Sequence, residues 1–364
     1  MYIVKLWEKV LLEIVTMATL QEVAKKAGVS ITTVSRVLNN SSKVNEDTRT
    51  RVQGAVNKLG YQPSRVAQRM RYQQGHSKLL GLIIPDIQNP YYSSIVRGVE
   101  DVAYKRNYAL ILCNSDEEAA KEKFYLEVLR SESVDGVIFP PIHEHGRMIG
   151  ELVKNGLPVV CVDRRLANLT VDTVVVNNHK GAYNATSELI NLGHRRIGFI
   201  SSMPHFSSFK ERRQGYEDAL TSHGIPVNED YIRLGDQRKP ESGRVFAHEL
   251  LGLDKKPTAF FVSNNLMTLG AIEAIHQKDL KIPDDVSIIG FDDMPWAKSI
   301  NPPLSVVRQP GYEMGRRAAE MFFQRIEEPD REPVLVMLEP TLVLRDSCRA
   351  ISPDGQKYAE IKNL

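Results

Sequence analysis

Three side chains in the segment ITTVSRVLNN, which begins at Ile31, could meet a polyanion. At 100° per residue, Val34, Val37 and Leu38 gather on one side of a helix, while Thr32, Arg36 and Asn39 turn to the other. A guanidinium among short hydroxyl and amide groups suits a nucleic-acid groove. Arginine makes paired hydrogen bonds to guanine, and Ser or Thr reaches phosphates or either base. A second set is dispersed in sequence: Tyr91, Tyr92, Asp163, Asn264 and Asp292 each follow a short apolar run, and Arg212 lies in a segment leading into a helix. Carboxylate, amide and guanidinium groups with aromatic faces provide fixed hydrogen bonds to hydroxyls and apolar surface for ring carbons.

The elements around the first set read as three short helices. Thr19-Leu20-Gln21-Glu22 forms a capping box, and Leu20, Val23, Ala24 and Ala27 then follow at i, i+3, i+4 and i+7. Gly28 ends that helix and Ser30 caps the next almost at once. Two helices separated by so short a Gly-containing turn are the helix-turn-helix pattern. A third helix opens at Asn45, carries Val52, Ala55, Val56 and Leu59 on one face and stops at Gly60. After Pro63 a short periodic set, Val66, Ala67 and Met70, lies among Arg65, Arg69 and Arg71. So short a helix is marginal alone and orders only against a partner.

Charge separates this region from the rest. Residues 18–78 hold eleven Lys/Arg against three Asp/Glu, a net of +8, although the whole 364-residue chain is only +2. A basic module on a mildly acidic body points to a polyanion-binding head carried by something else. The length predicts two or three domains, and the 42% hydrophobic and 25% charged composition excludes disordered and collagen-like classes. Three cysteines, Cys113, Cys161 and Cys348, without CxxC spacing signal neither a disulfide framework nor a zinc site, and a reducing cytoplasm is expected. MYIVKLWEKVLLEIVT is interrupted by Lys5, Glu8, Lys9 and Glu13 and reads as an extension upstream of Met17, not as a signal peptide.

From Leu79 onward, short apolar runs alternate with helical patterns. LLGLIIP, YALILCN, DGVIFPP, PVVCVD and TVVVN make one set; RIGFISS, YIRLGD, TAFFVSNN, VSIIGFDD and LSVVRQ make another. Continuous apolar runs between helices argue parallel strands buried on both faces, hence two doubly wound α/β lobes with a cleft between them. Ligands in such sheets sit beyond the carboxyl ends of the strands, where the second set of residues falls.

The string ATLQEVAKKAGVSITTVSRVLNNSSKVNEDTRTRVQGAVNKLGYQPSRVAQRMR closely resembles the headpiece of the lactose-repressor/galactose-repressor (LacI/GalR) family, and the likeness continues to about Ser347. The resemblance implies that Ile31, Thr32 and Arg36 read bases and that Ser30, Thr33, Asn39 and Tyr61 contact the DNA backbone. Ile31 enters by resemblance alone, since the helical wheel puts it nearer the core edge. The likeness also implies paired hinge helices that enter the minor groove, with Ala67 and Met70 at the DNA and Met70 where the family usually has Leu; a wedged Met would unstack a base step. The body would look like a periplasmic sugar-binding protein whose chain crosses between lobes three times. Arg212, Asn264 and Asp292 match the family's inducer-clamping positions, Tyr92 and Phe206 its ring-packing groups, and Gln309 a further contact. Asn264-Asn265 departs from the family's frequent Asn-Asp, so hydrogen bonding there is expected to differ.

The expected organisation is an extension over 1–16, a headpiece over 17–62, a hinge over 63–77, a body over 78–347 and a tail over 348–364. The lobes would comprise about 79–177 plus 309–339 and about 178–308 plus 340–347. No phosphate loop, HExxH, GxSxG or GxGxxG supports an enzyme, and Asp292-Asp293 are neighbours on one loop without opposed geometry. His143-Glu144-His145 lacks the further spaced ligands a metal needs. A secreted binding protein would fit the body but not the basic head. The expectation is a cytoplasmic transcriptional regulator, most simply a repressor, without cofactor, metal or membrane. Its partners would be a pseudo-palindromic DNA operator, a second copy of itself and a small effector, a sugar or sugar derivative. A nucleobase or phosphoprotein effector stays open. The tail SPDGQKYAEIKNL has no heptads, which favours a dimer over a tetramer.

Overall fold

The computed structural model describes residues 18–38, 43–61, 77–142, 146–202, 205–236 and 239–351. The chain divides into two compact units, Met1–Ser77 and Lys78–Leu364. In the first, α1 (Leu20–Ala27), α2 (Ile31–Leu38) and α3 (Glu46–Leu59) pack around Val23, Ala27, Val34, Val37, Val52 and Val56. The sequence signals act as written: the Thr19 capping box is formed on both sides, and Asn45 caps α3 through the Thr48 N–H. Gly28 and Gly60 both close their helices in the left-handed conformation. Asn39, Ala67, Met70 and His143-Glu144-His145 lie outside the described residues.

The second unit holds two six-stranded sheets. The first has the order β11-β5-β4-β3-β1-β2, formed by Leu335–Leu338, Asp172–Val176, Val159–Val162, Val137–Phe139, Leu79–Ile84 and Ala109–Asn114. Every pair in it is parallel. The second has the order β12-β10-β9-β8-β6-β7, formed by Thr341–Val343, Ser305–Arg308, Ser287–Phe291, Ala259–Val262, Ile197–Ser202 and Ile232–Gly235. Here β12 runs antiparallel to β10, a departure from a wholly parallel reading. That edge strand follows β11 by a two-residue link, and because β11 lies in the other sheet this link carries the chain from one sheet to the other. The chain passes between the sheets three times: between β5 and β6, between β10 and α11 (Gly311–Glu327), and between β11 and β12.

Two devices fix the first lobe. Helix α4 (Pro90–Lys105) meets α11 so closely that a Cβ on Gly98 would lie 2.1 Å from the Tyr312 carbonyl oxygen, and one on Gly315 2.0 Å from that of Ile95. The carboxylate of Asp172, buried at the start of β5, takes Arg325 at 3.0 Å, Arg331 at 2.6 Å and the Val334 N–H at 3.0 Å. Stripping one partner from so buried a charge costs roughly 3–5 kcal/mol, so this cluster ties β5 to the segment that leads into β11.

The second lobe is closed at the amino ends of its strands by His194. Its Nδ1 lies 2.8 Å from Thr258 Oγ1, and its Nε2 lies 3.1 Å from Ser287 Oγ and 3.2 Å from the Arg349 carbonyl oxygen. Burial pushes its pKa down to about 4 from an ordinary value near 6.5, so the folded ring stays neutral where the unfolded ring takes a proton. Stability from this ring is therefore complete above pH 6.5 and is lost as pH falls towards 4. Urea unfolding followed across that window should show stability falling with acidification, and His194→Gln should flatten the fall; an unchanged slope in the variant would remove His194 as its source.

Candidate functional site

In the headpiece, Val34 and Val37 of α2 are buried, whereas Thr32 and Arg36 are exposed on the opposite side. Ser30 caps the helix: its Oγ accepts the Thr33 N–H at 3.1 Å and lies 2.9 Å from Thr33 Oγ1. Ile31 differs from the wheel's expectation. It is 45% exposed, because the first helical residue precedes the turn that packs against α1 and α3. Tyr61, 7% exposed, packs in the headpiece core just past Gly60.

In the body, Asp163 follows β4 and Asp292 follows β9, and both adopt positive φ, 69° and 74°. Their N–H groups donate across to the Val174 and Val307 carbonyls. A non-glycine residue in this region is strained by roughly 1–3 kcal/mol and persists only where its surroundings hold it. The same device stands at the same place in both sheets, at the carboxyl end of a strand.

Each predicted residue there has a definite partner. Asp163 accepts the Tyr91 hydroxyl at 2.8 Å and the Tyr92 hydroxyl at 3.2 Å. Burial, with Asp163 beside it, pushes the Tyr91 phenol well above its usual range, so it stays a donor. Arg212 is not in a lead-in segment but inside α8 (Ser207–Ser222). It donates to Asn178 Oδ1 at 2.8 Å and to the Ser263 carbonyl at 2.6 Å, and its guanidinium lies 3.6 Å from the Phe291 ring centroid. Gln309 Nε2 donates to Asp292 Oδ1 at 2.6 Å. Asn264 caps α10 (Asn265–Gln277): its Oδ1 accepts the N–H groups of Leu266 and Met267 at 2.9 and 3.1 Å. A ligand there can meet only the NH2 end of that amide.

Sequence reading missed the residues that join the lobes. Arg164 is 1% exposed; its Nη2 donates to Glu117 at 2.6 Å and to the Tyr92 hydroxyl at 3.2 Å, and its Nε lies 3.3 Å from Asp163. Its guanidinium lies 3.9 Å from the ring centroid of Phe206, which belongs to the other lobe, so one face of that ring is covered. Asn89 and Asn265 exchange amide hydrogen bonds across the same gap, 2.9 Å one way and 3.3 Å the other. Asparagine in place of the resemblance's Asp at 265 makes that reciprocal exchange available, because only an amide both donates and accepts. Met294, two residues past Asp292, is buried in the first lobe's core, and Trp296 packs against the cores of both lobes. The signal for Arg164 was its place directly after Asp163, and for Asn89 its Asn-Pro cap position ahead of the tyrosines.

Among the described residues, no helix is long and apolar enough to cross a membrane, and no group of His, Cys, Asp or Glu is arranged to hold a metal ion.

Residues 19–64 match the family described as bacterial regulatory proteins, lacI family, and residues 186–348 match the periplasmic binding protein-like domain. The transcriptional repressor PurR of Mannheimia succiniciproducens is 35% identical over 338 residues, covering 92% of this chain and 100% of that protein. The chain belongs to the lacI family. Its fold places it there as well. A solved structure of the lac repressor dimer bound to operator and the anti-inducer ONPF superposes with a TM-score of 0.79 at 26% identity, covering 92% of this chain and 99% of that one. The transcriptional regulator CelR in complex with cellobiose gives 0.69 at 32% identity, covering 91% and 99%. As a lacI-family member the protein is a DNA-binding transcriptional regulator with a periplasmic-binding-like body.

The cap geometry gives a stability test free of any ligand. Asn264→Ala should lower the unfolding free energy by about 0.5–2 kcal/mol, the usual worth of an N-cap side chain. Asn264→Asp, which keeps the cap oxygen, should restore most of it in chemical denaturation; equal losses in both variants would contradict the assignment.

Proposed function

We propose that this lacI-family regulator is a homodimeric repressor that holds a pseudo-palindromic operator and senses a small hydroxylated ligand, a sugar or sugar derivative, between the lobes of its body. One observation carries the ligand class. Arg164 Nη1 and Gln309 Oε1 are buried in the body, at 1% and 8% residue exposure, and neither has a hydrogen-bond partner. An unanswered buried donor and acceptor each cost about 1–3 kcal/mol. A hydroxyl both donates and accepts, so a polyol supplies what the two atoms lack. Arg212, the Asn264 amide and Asp292 supply further donors and an acceptor of the kind a sugar ring needs, and CelR, a relative of the same fold, was solved with cellobiose.

A nucleobase is the second reading, favoured by the relatives named PurR. It requires an aromatic face to stack on. Arg164 already covers one face of Phe206 and Arg212 one face of Phe291, and both rings are buried, which leaves a base little open face to stack on. This supports the sugar.

In the headpiece, Arg36 is assigned to a base edge, with Thr32 and Ile31 beside it, and Ser30 and Thr33 to phosphates. The Arg36 prediction concerns discrimination. Arg36→Ala should cost roughly 1–3 kcal/mol per half-site on the correct operator and barely change binding to random DNA. Two chains should bind each operator duplex. Equal losses on both DNAs would make Arg36 a phosphate contact, and one chain per duplex would overturn the dimer.

Asp292 tests the sensor. Its carboxylate lies in the body, within reach of Gln309 and close to Arg212's helix, so its loss deletes ligand contacts and leaves the headpiece surface intact. A ligand shifts DNA binding only through its differential affinity for two states, typically about 1–3 kcal/mol. Asp292→Ala should bind ligand-free operator as the parent does and lose most of the ligand-dependent shift. A variant with the full shift would remove Asp292 from the sensor.

A further inference from the structure

The loop that follows β2 carries two successive residues in the left-handed region, Asp116 at φ 52° and Glu117 at φ 62°. Neither is glycine, so the turn is held by its side chains. Asp116 is gripped by the Asn114 amide at 2.6 Å and by Lys121 at 2.6 Å. The outcome of that strain is a single placement: the Glu117 carboxylate, 9% exposed, sits 2.6 Å from the buried guanidinium of Arg164.

Glu117 alters the charge of the cleft. The ionisable side chains gathered there are Arg164 and Arg212 on one side of the ledger and Glu117, Asp163 and Asp292 on the other, one negative charge in excess. Glu122, also buried in this lobe, accepts the Ile142 N–H at 3.0 Å. Burial pushes its carboxyl up to about 8, so it adds little negative charge near neutrality. Of the neighbouring charges, Arg165 pairs with Glu211, and Lys121 pairs with both Asp116 and the exposed Glu118. Without Glu117 the same groups would sum to zero, and Arg164 would face a ligand as a cation opposed only by Asp163.

We propose that Glu117, which touches no ligand group itself, positions Arg164 and sets the cleft's charge so that the effector is an uncharged hydroxylated compound, while its phosphorylated or carboxylated counterpart is refused. This rests on the sugar reading above for the site but makes a separate claim about charge. Glu117 fixes Arg164 Nη2, which directs the remaining guanidinium edge, and its carboxylate opposes any ligand anion at close range. At such distances one unit charge in a partly buried site changes affinity by about tenfold or more.

The test uses the full-length protein and three sets of probes in calorimetric and thermal-shift titrations: neutral sugars including ribose, glucose and cellobiose; ribose 5-phosphate and glucose 6-phosphate; and inorganic phosphate alone. The parent should bind a neutral sugar, bind its phosphate at least about tenfold more weakly, and show no stabilisation by inorganic phosphate. In Glu117→Gln the neutral-to-phosphorylated ratio should fall by about tenfold and phosphate should become stabilising. Glu117→Asp, which keeps the charge, should retain the parent's ratio. In Glu117→Gln combined with Arg164→Met the phosphate effect should vanish. A ratio that does not move in Glu117→Gln, or a parent that prefers the phosphorylated sugar, would overturn the proposal. If no neutral sugar binds the parent, the sugar reading fails; the inorganic phosphate comparison between parent and Glu117→Gln still decides the charge claim.

Discussion

A buried guanidinium that belongs to one lobe and rests on an aromatic ring of the other is the interaction on which the body depends. Arg164 leaves the carboxyl end of β4, is held on two sides by Glu117 and Asp163, and lies on Phe206. Burying a cation is costly unless its hydrogens are answered. The protein answers only part of that demand, and Nε and Nη1 are left without a hydrogen-bond partner. The Asn89–Asn265 amide exchange and the burial of Met294 in the first lobe's core reinforce the junction from the adjacent loops.

The two lobes are alike in how they present these groups. Asp163 and Asp292 occupy matching strand ends, share positive φ and anchor their N–H groups to the neighbouring strand. Strain placed at both strand ends holds the backbone of each aspartate in one conformation. The headpiece works without such strain. Its reading face follows from an eight-residue helix whose Val34 and Val37 leave Arg36 and Thr32 nowhere to go but outward.

The fold was largely legible in the sequence because its signals are local. Capping box, Gly C-caps and continuous apolar strands each depend on a few adjacent residues and recur in the structure, except that the edge strands β2 and β7 are buried only in part and not on both faces. The antiparallel β12 was not legible, since a three-residue strand carries no direction in its pattern. The site was read in part. Residues immediately after each strand could be named, but Arg164 and Glu117 could not, because their meaning lies in a pairing between residues 47 apart in sequence. The exposure of Ile31 went astray for a related reason. Helical periodicity ranks faces within one helix and says nothing of where a neighbouring helix ends.

On the function proposed above, the effector sits between the lobes and bridges both. Hydrogen–deuterium exchange on the full-length protein, with and without a sugar that binds it, tests this most directly. Protection is expected in the same titration at Asn89–Tyr92, Asp163–Arg165, Phe206–Arg212 and Asp292–Trp296, on both lobes together. Protection confined to one lobe, or lying away from these strand ends, would contradict it.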